Sequence, residues 1–134
     1  MGVDYGLKRI GLAMTDPLEI IASPFDTIES VSLKKDAQKI VEIAENNQVS
    51  EIVVGIPVND YHVEMADKIT KFISNVRELT KIKVETVDES FSTGQAEEIL
   101  VGKADVSREK RKGVKDRLAA AIILQRYLES KKKF

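Results

Sequence analysis

The sequence predicts one α/β domain built on a five-stranded mixed sheet, with three antiparallel strands followed by two parallel strands and flanking helices. Short apolar runs alternate with longer segments of helical period, which is the pattern of an α/β protein. The last two strands are each reached through a helix, which makes them parallel to their neighbour. Because no linker or repeat interrupts the 134 residues, residues 1–134 are expected to form a single domain.

The first 25 residues are predicted to form the three antiparallel strands. Gly2–Tyr5 and Arg9–Met14 flank a short turn, and Ile20–Phe25 is the third apolar run. Pro24 favours an edge position for the third strand, because proline has no N–H to donate to a neighbouring strand.

The remaining chain alternates between helical and extended patterns. Ser92, with Gln95 three residues later, forms a capping-box pattern that begins a helix. In order, the predicted elements are a helix over 33–44, a strand at Glu51–Ile56, a helix over 65–79, a strand at Ile82–Val87, a short helix from Ser92 and a final helix over Val114–Leu128.

Composition narrows the possible functions. The chain has no cysteine, which excludes disulfides and thiolate metal sites and suits a reducing cytoplasm. It has no signal-peptide pattern and no apolar run long enough to span a bilayer, so we expect a cytoplasmic protein that does not enter membranes. Aromatic residues make up only 5%, so base stacking is not expected to dominate binding.

The net charge of −1 conceals an uneven distribution. From Lys103 to Arg117 there are seven basic and three acidic residues, a local charge of +4 that leaves −5 for the rest of the chain. A basic segment beside an acidic remainder favours a site that faces phosphate. An ordinary solvated helix face is the alternative.

Asp4 is the first candidate for chemistry. It lies in the first predicted strand, where aspartate is disfavoured and where burial would make its carboxylate bind a cation or take up a proton. Gly2 and Gly6 on either side would allow close approach of backbone or phosphate. A turn-forming aspartate is the alternative.

Asp88 and Glu89 are the second candidates, because they end the fifth strand at the carboxyl edge of the sheet, where open α/β sheets bind ligands. Alternation of side chains indicates that only one of the two reaches the site directly. An exposed acidic turn is the alternative.

Asp116 is the third candidate. It shares a helical stripe with Ala120, Ile123 and Tyr127, which predicts that it faces the sheet. A surface aspartate paired with Lys112 or Lys115 is the alternative.

Three acids on separate elements, without cysteine, suit Mg²⁺ or Mn²⁺, which prefer oxygen ligands. Such ions can activate water and stabilise the leaving oxygen of a phosphodiester. The basic segment leads directly into Asp116, which would place phosphate-binding and metal-binding groups side by side. The lone histidine, His62, is more typical of a surface residue than of a ligand.

Four segments, taken together, resemble the YqgF (RuvX) family, whose members are described as pre-16S ribosomal RNA nucleases and as Holliday-junction-resolvase-like proteins. The resemblance covers essentially the whole chain, and its motifs begin at Gly2 (GVDYGLKRIGLA), Val54 (VGIP), Val87 (VDESFSTGQAE) and Lys115 (KDRLAAAIILQRYL).

The resemblance implies a ribonuclease-H-like fold, a divalent metal and trimming of the 5′ end of the small-subunit rRNA precursor. It places the family's acidic positions on Asp4, on the Asp88–Glu89 pair and on Asp116. We expect metal ligation by Asp4, Glu89 and Asp116, with Asp88 as the alternative to Glu89. Residues expected to bind substrate phosphate are Lys8, Arg9, Arg111 and Lys112.

Two departures keep other functions open. The family usually has Arg where this chain has Ser90. It also usually has Gly shortly after the VGIP segment, where this chain has none. The first departure keeps alive a non-catalytic module that binds RNA or protein. Resolution of branched DNA is a second enzymatic alternative. The chain is expected to be a monomer or a homodimer, and paired cuts in a junction would require the dimer.

Overall fold

The computed structural model describes residues 1–57, 63–89 and 108–131, with the backbone only for 63 and 108–111. The strands are β1 (Gly2–Tyr5), β2 (Arg9–Thr15), β3 (Ala22–Glu29), β4 (Glu51–Ile56) and β5 (Lys83–Asp88). The helices are α1 (Leu33–Asn46), α2 (Val63–Leu79) and α3 (Arg108–Lys131). The short helix predicted from Ser92 lies outside the described residues, as does His62.

The five strands form one sheet in the order β3-β2-β1-β4-β5. β1, β2 and β3 pair antiparallel, whereas β4 is parallel to both β1 and β5. The mixed sheet predicted from the sequence is therefore confirmed, and Pro24 lies on the edge strand β3 as expected. β1 is the central strand, so its residues have a neighbour on each side.

Several element boundaries differ from the prediction, most of all the two ends of β3, which continues to Glu29, and the start of the last helix. The third strand begins at Ala22, because the Asp16 carboxylate accepts hydrogen bonds from the backbone N–H groups of Ile20 and Ile21, each at 2.8 Å, and turns the chain there. The last helix begins at Arg108, six residues before the predicted start. Its first turns consist mainly of charged residues, so no apolar stripe in the sequence indicates that the helix begins there.

The two faces of the sheet are covered differently. α1 and α2 pack on one face over a large aliphatic core, in which the ring of Phe72 stacks on Tyr5 at a centroid distance of 4.6 Å. In the part of the chain that the structure describes, the other face is crossed by α3, which contacts all five strands. A smaller core lies beneath it, formed by Ala13, Val53, Ala120, Ala121, Ile123 and Leu124. None of the helices in the described ranges combines the length and apolar character needed to cross a membrane.

Candidate active site

Asp4 lies on the central strand, on the face that α3 covers. Its cross-strand partner on β2 is Gly11. On the other side, β1 pairs with β4 through Gly2 and Val53, so two residues further along each strand Asp4 lies beside Gly55. Residues opposite each other on neighbouring strands point to the same face. Asp4 is therefore flanked by a glycine on each neighbouring strand.

These two glycines form a trench across the sheet. A Cβ atom added to Gly11 would overlap the backbone carbonyl of Asp116, so α3 touches the sheet at that point. A Cβ atom added to Gly55 would lie 3.0 Å from the carboxyl carbon of Glu89. Because both positions lack a Cβ atom, the backbone of α3 and the side chain of Glu89 come close to Asp4 from opposite sides.

The Glu89 side chain reaches Asp4 because of how β5 ends. The last parallel pair between β4 and β5 joins Ile56 and Asp88, and the N–H of Glu89 then donates to the carbonyl of Ile56 at 3.1 Å. This bond holds the first residue after the strand in the sheet's register. Side chains alternate along the strand, so Glu89 turns toward α3 while the Asp88 side chain is exposed.

The electrostatics of Asp4 are those of a crowded acidic site. Its pKa is raised well above the ordinary aspartate value of 3.8, first by burial, then by the negative charge of Glu89, a hydrogen bond between the two side chains and the charge of Asp116. Lys115 acts in the opposite direction. A hydrogen bond between two carboxyl groups requires one of them to hold a proton. A cation bound beside the pair would therefore offset the repulsion between the two carboxyl groups.

Asp116 meets the sheet through its side chain as well as its backbone. The Nε atom of Arg9 donates to Oδ2 of Asp116 at 2.7 Å, and the two side chains are 33% and 21% exposed. The helical stripe predicted for Asp116 is confirmed, since Ala120 and Ile123 are fully buried against the sheet. Arg9, which is also predicted to meet phosphate, bonds this carboxylate in the structure.

The donor set fits a hard divalent cation. Asp4, Glu89 and Asp116 supply only carboxylate oxygens, which Mg²⁺ and Mn²⁺ prefer, and two of them already adjoin at a site where negative charge is unfavourable. Within residues 1–57, 63–89 and 108–131, no three acidic or histidine side chains stand close enough together to hold a metal ion. The arrangement is thus a carboxyl pair, with a third carboxylate engaged by Arg9.

The remaining candidates are basic residues that were predicted to bind phosphate. Lys8 is exposed in the turn before β2, and Lys112 is exposed in the first half of α3. The side chain of Arg111 and residues 103–107 of the basic segment lie outside the described residues. The carbonyl of Asp88 accepts a hydrogen bond from Arg126 at 2.7 Å, which ties the end of β5 to α3.

Sequence reasoning missed the contribution of Gly11. A glycine inside a strand indicates a close backbone approach, so the signal was present in the Ile-Gly-Leu triplet of β2. The partner could not be deduced, because it lies 105 residues further along the chain, in α3.

The fold belongs to the ribonuclease-H-like class that includes the RuvC resolvases. T. thermophilus RuvC, solved in complex with a Holliday junction substrate, matches with a TM-score of 0.63 and 16% identity over 97% of this chain and 92% of that chain. The Fowlpox virus resolvase, solved with Holliday junction DNA, matches with a TM-score of 0.60 and 14% identity over 98% and 97% of the two chains. At these identities the likeness establishes the fold.

The family is established by closer matches. The family model described as "RuvX: Holliday junction resolvase" matches residues 1–130. A protein of Endomicrobium trichonymphae is 58% identical over 96% of this chain and 94% of its own length, and one of Clostridioides difficile is 44% identical over 98% and 94%. Both are described as "Putative pre-16S rRNA nuclease". The chain belongs to the RuvX family, as its motifs predicted.

Proposed function

We propose that this chain is a divalent-metal-dependent endonuclease that acts in the cytoplasm on structured RNA, at the 5′ end of the pre-16S rRNA. The observation that carries the proposal is the Asp4–Glu89 carboxyl pair, set beside Asp116 at the carboxyl edge of a ribonuclease-H-like sheet. The descriptions of the curated relatives supply the substrate.

Asp4, Glu89 and Asp116 would hold Mg²⁺ or Mn²⁺. When bound, the metal supplies Lewis-acid activation of water and stabilises charge on the scissile phosphodiester. The chain's own contribution is positional. The trench formed by Gly11 and Gly55 lets the carboxylates gather where side chains would otherwise separate them, and the partial burial of Asp4 disfavours its charged form. Lys8, Arg9, Arg111 and Lys112 would bind the phosphates of the substrate.

The test is metal-dependent cleavage of a pre-16S leader transcript. Asp4→Asn, Glu89→Gln and Asp116→Asn should each lose at least about 100-fold in cleavage rate, because each removes a charged oxygen ligand. Asp88→Asn is the matched control, since it changes the adjacent, exposed carboxylate, and it should retain nearly the whole rate. Wild-type rates in Asp4→Asn or Asp116→Asn, or equal losses in Asp88→Asn and Glu89→Gln, would contradict the assignment.

Resolution of branched DNA is a second candidate, favoured by the family model's description and by two structural neighbours solved with Holliday junctions. Competition between a four-way junction and the precursor transcript separates the two substrates. A resolvase must also make paired cuts, so sedimentation should then detect a homodimer. Tight binding of either substrate without metal-dependent cleavage would instead favour the non-catalytic module that the Ser90 departure keeps open.

A further inference from the structure

Two residues of β2, Arg9 and Gly11, contact Asp116 at its side chain and at its backbone. Arg9 and Gly11 are two positions apart on β2, so both face α3. Gly11 admits the backbone carbonyl of Asp116, while the guanidinium of Arg9 bonds its carboxylate at 2.7 Å. β2 thus determines where Asp116 lies and supplies the positive charge that its carboxylate bonds.

The same contact accounts for the arrangement of the acids. Asp4 and Glu89 already share a hydrogen bond, yet within the described ranges no three acids form a group able to hold a metal. A carboxylate that bonds a guanidinium at this distance has part of its charge neutralised and one oxygen occupied. To serve as a full metal ligand, Asp116 must give up or share its contact with Arg9.

A substrate phosphate can compete for the guanidinium. Arginine stays charged at all relevant pH values, and its planar donor fork binds phosphate as well as carboxylate. The Arg9 side chain is 33% exposed, so solvent, and therefore a nucleic-acid backbone, can reach it. Arg9 can therefore exchange one anionic partner for another without leaving its strand.

We propose that Arg9 is a positioning residue that competes with the metal ion for Asp116 and releases this carboxylate to the metal when a substrate phosphate binds the guanidinium. This inference rests on the proposed function and adds a coupling between substrate and metal. Coupling of this kind is reciprocal, so substrate raises metal affinity by the same factor by which metal raises substrate affinity. The free protein then holds its metal weakly.

The test measures Mn²⁺ affinity by calorimetry, without nucleic acid. Arg9→Met keeps the aliphatic stem and removes the competitor, so it should bind Mn²⁺ about tenfold more tightly than the wild type. Lys8→Met removes an exposed positive charge from the adjacent position and reports the effect of charge alone, which should be about twofold or less. Arg9→Lys keeps the charge without the fork and should fall between the two.

A cycle with Asp116→Asn identifies the route. In that background Arg9→Met should not change Mn²⁺ affinity, since the carboxylate for which the two compete is absent. Circular dichroism of each metal-free variant checks folding. Unchanged or weaker Mn²⁺ binding in Arg9→Met, or a gain matched by Lys8→Met, would overturn the inference.

The cleavage assay distinguishes this failure from failure of the proposed function. If the wild type cleaves the transcript but Arg9→Met gains no affinity, only the competition is refuted. If the wild type neither binds Mn²⁺ nor cleaves, the proposed nuclease function fails together with the inference that rests on it.

Discussion

Carboxylates at the two ends of the sheet have pKa values shifted in opposite directions. At the carboxyl edge, burial and the neighbouring Glu89 and Asp116 raise the pKa of Asp4 well above its ordinary value. At the amino edge, Glu51 begins β4 and accepts hydrogen bonds from the hydroxyl of Tyr127 and from the Nζ atom of Lys131, the latter at 3.0 Å. The Tyr127 hydroxyl is the main cause that lowers the pKa of Glu51, and Lys131 adds to it.

The difference separates a structural acid, Glu51, from the acids of the proposed site. Helix α3 contributes to both edges, with Asp116 at one and Tyr127 at the other. It brings a third acid to the carboxyl edge and hydrogen-bond donors to the amino edge. Glu51 is stabilised in its charged form. At the carboxyl edge the charged form of Asp4 is disfavoured, and a bound cation would stabilise it. A groove of about 430 Å³ opens at the amino edge, and none of the predicted site residues lines it. The candidate site is therefore supported by its acids and not by this groove.

The largest effect is expected at the trench. Gly11→Ala places a methyl group against the Asp116 carbonyl, so α3 must shift from the sheet, and the free energy of unfolding should fall by about 3 kcal/mol. Gly113→Ala is the matched control in α3, where an added Cβ atom meets nothing closer than 3.6 Å. That substitution should stabilise the protein by about 0.5–1 kcal/mol. Urea denaturation measures both, and equal effects would show that the close approach is unimportant.

Neutralising one acid at each edge should change stability in opposite directions. In metal-free buffer, Asp4→Asn removes a carboxyl group whose ionisation the fold disfavours and should raise the free energy of unfolding by about 1 kcal/mol. Glu51→Gln weakens two charge-assisted hydrogen bonds and should lower the melting temperature, while leaving cleavage unchanged. Thermal melts with a chelator measure both, and a loss of stability in Asp4→Asn would contradict the comparison.

The pH dependence should separate the same two residues. A raised pKa means that folded Asp4 holds a proton where the unfolded chain has lost it, so its stabilising effect is lost as pH rises above 3.8 through the folded value. Glu51 has a lowered pKa, so its contribution is present above 4.5 and is lost as pH falls through the folded value. Melting curves from pH 3 to 8 should show each dependence disappear in Asp4→Asn and Glu51→Gln respectively.

The smallest effect is expected for Tyr127→Phe. This change removes the hydroxyl that donates to Glu51 and should cost about 0.5–1 kcal/mol in the free energy of unfolding. The pKa of Glu51, followed by NMR titration, should rise toward 4.5. Ser130→Ala, which removes an exposed hydroxyl one helical turn away, should change stability by only a few tenths of a kcal/mol. An unchanged Glu51 titration in Tyr127→Phe would show that the charges of Lys131 and Lys83, and not the Tyr127 hydroxyl, lower this pKa.

Much of the fold was predictable because its signals are local. The continuous apolar run of β4 and the position of Pro24 indicated which strands are buried and which lies at the edge, and the stripe through Asp116 indicated its face. The boundary at Ala22 was not predictable, since the bonds from Asp16 depend on how the loop closes. The start of α3 was hidden by its charged first turns.

For the candidate site, the sequence by itself determined which acids were available and that they lie at strand ends or on a sheet-facing helix, because strand and helix periods assign side chains to faces. Only the tertiary structure decided that Glu89 rather than Asp88 adjoins Asp4, and that Arg9 engages Asp116. Contacts between residues about 85 and 107 positions apart depend on how the sheet and α3 pack together. The sequence predicts Asp4 as one ligand of an acidic cluster. In the structure Asp4 forms a carboxyl pair with Glu89, and the third acid, Asp116, bonds Arg9.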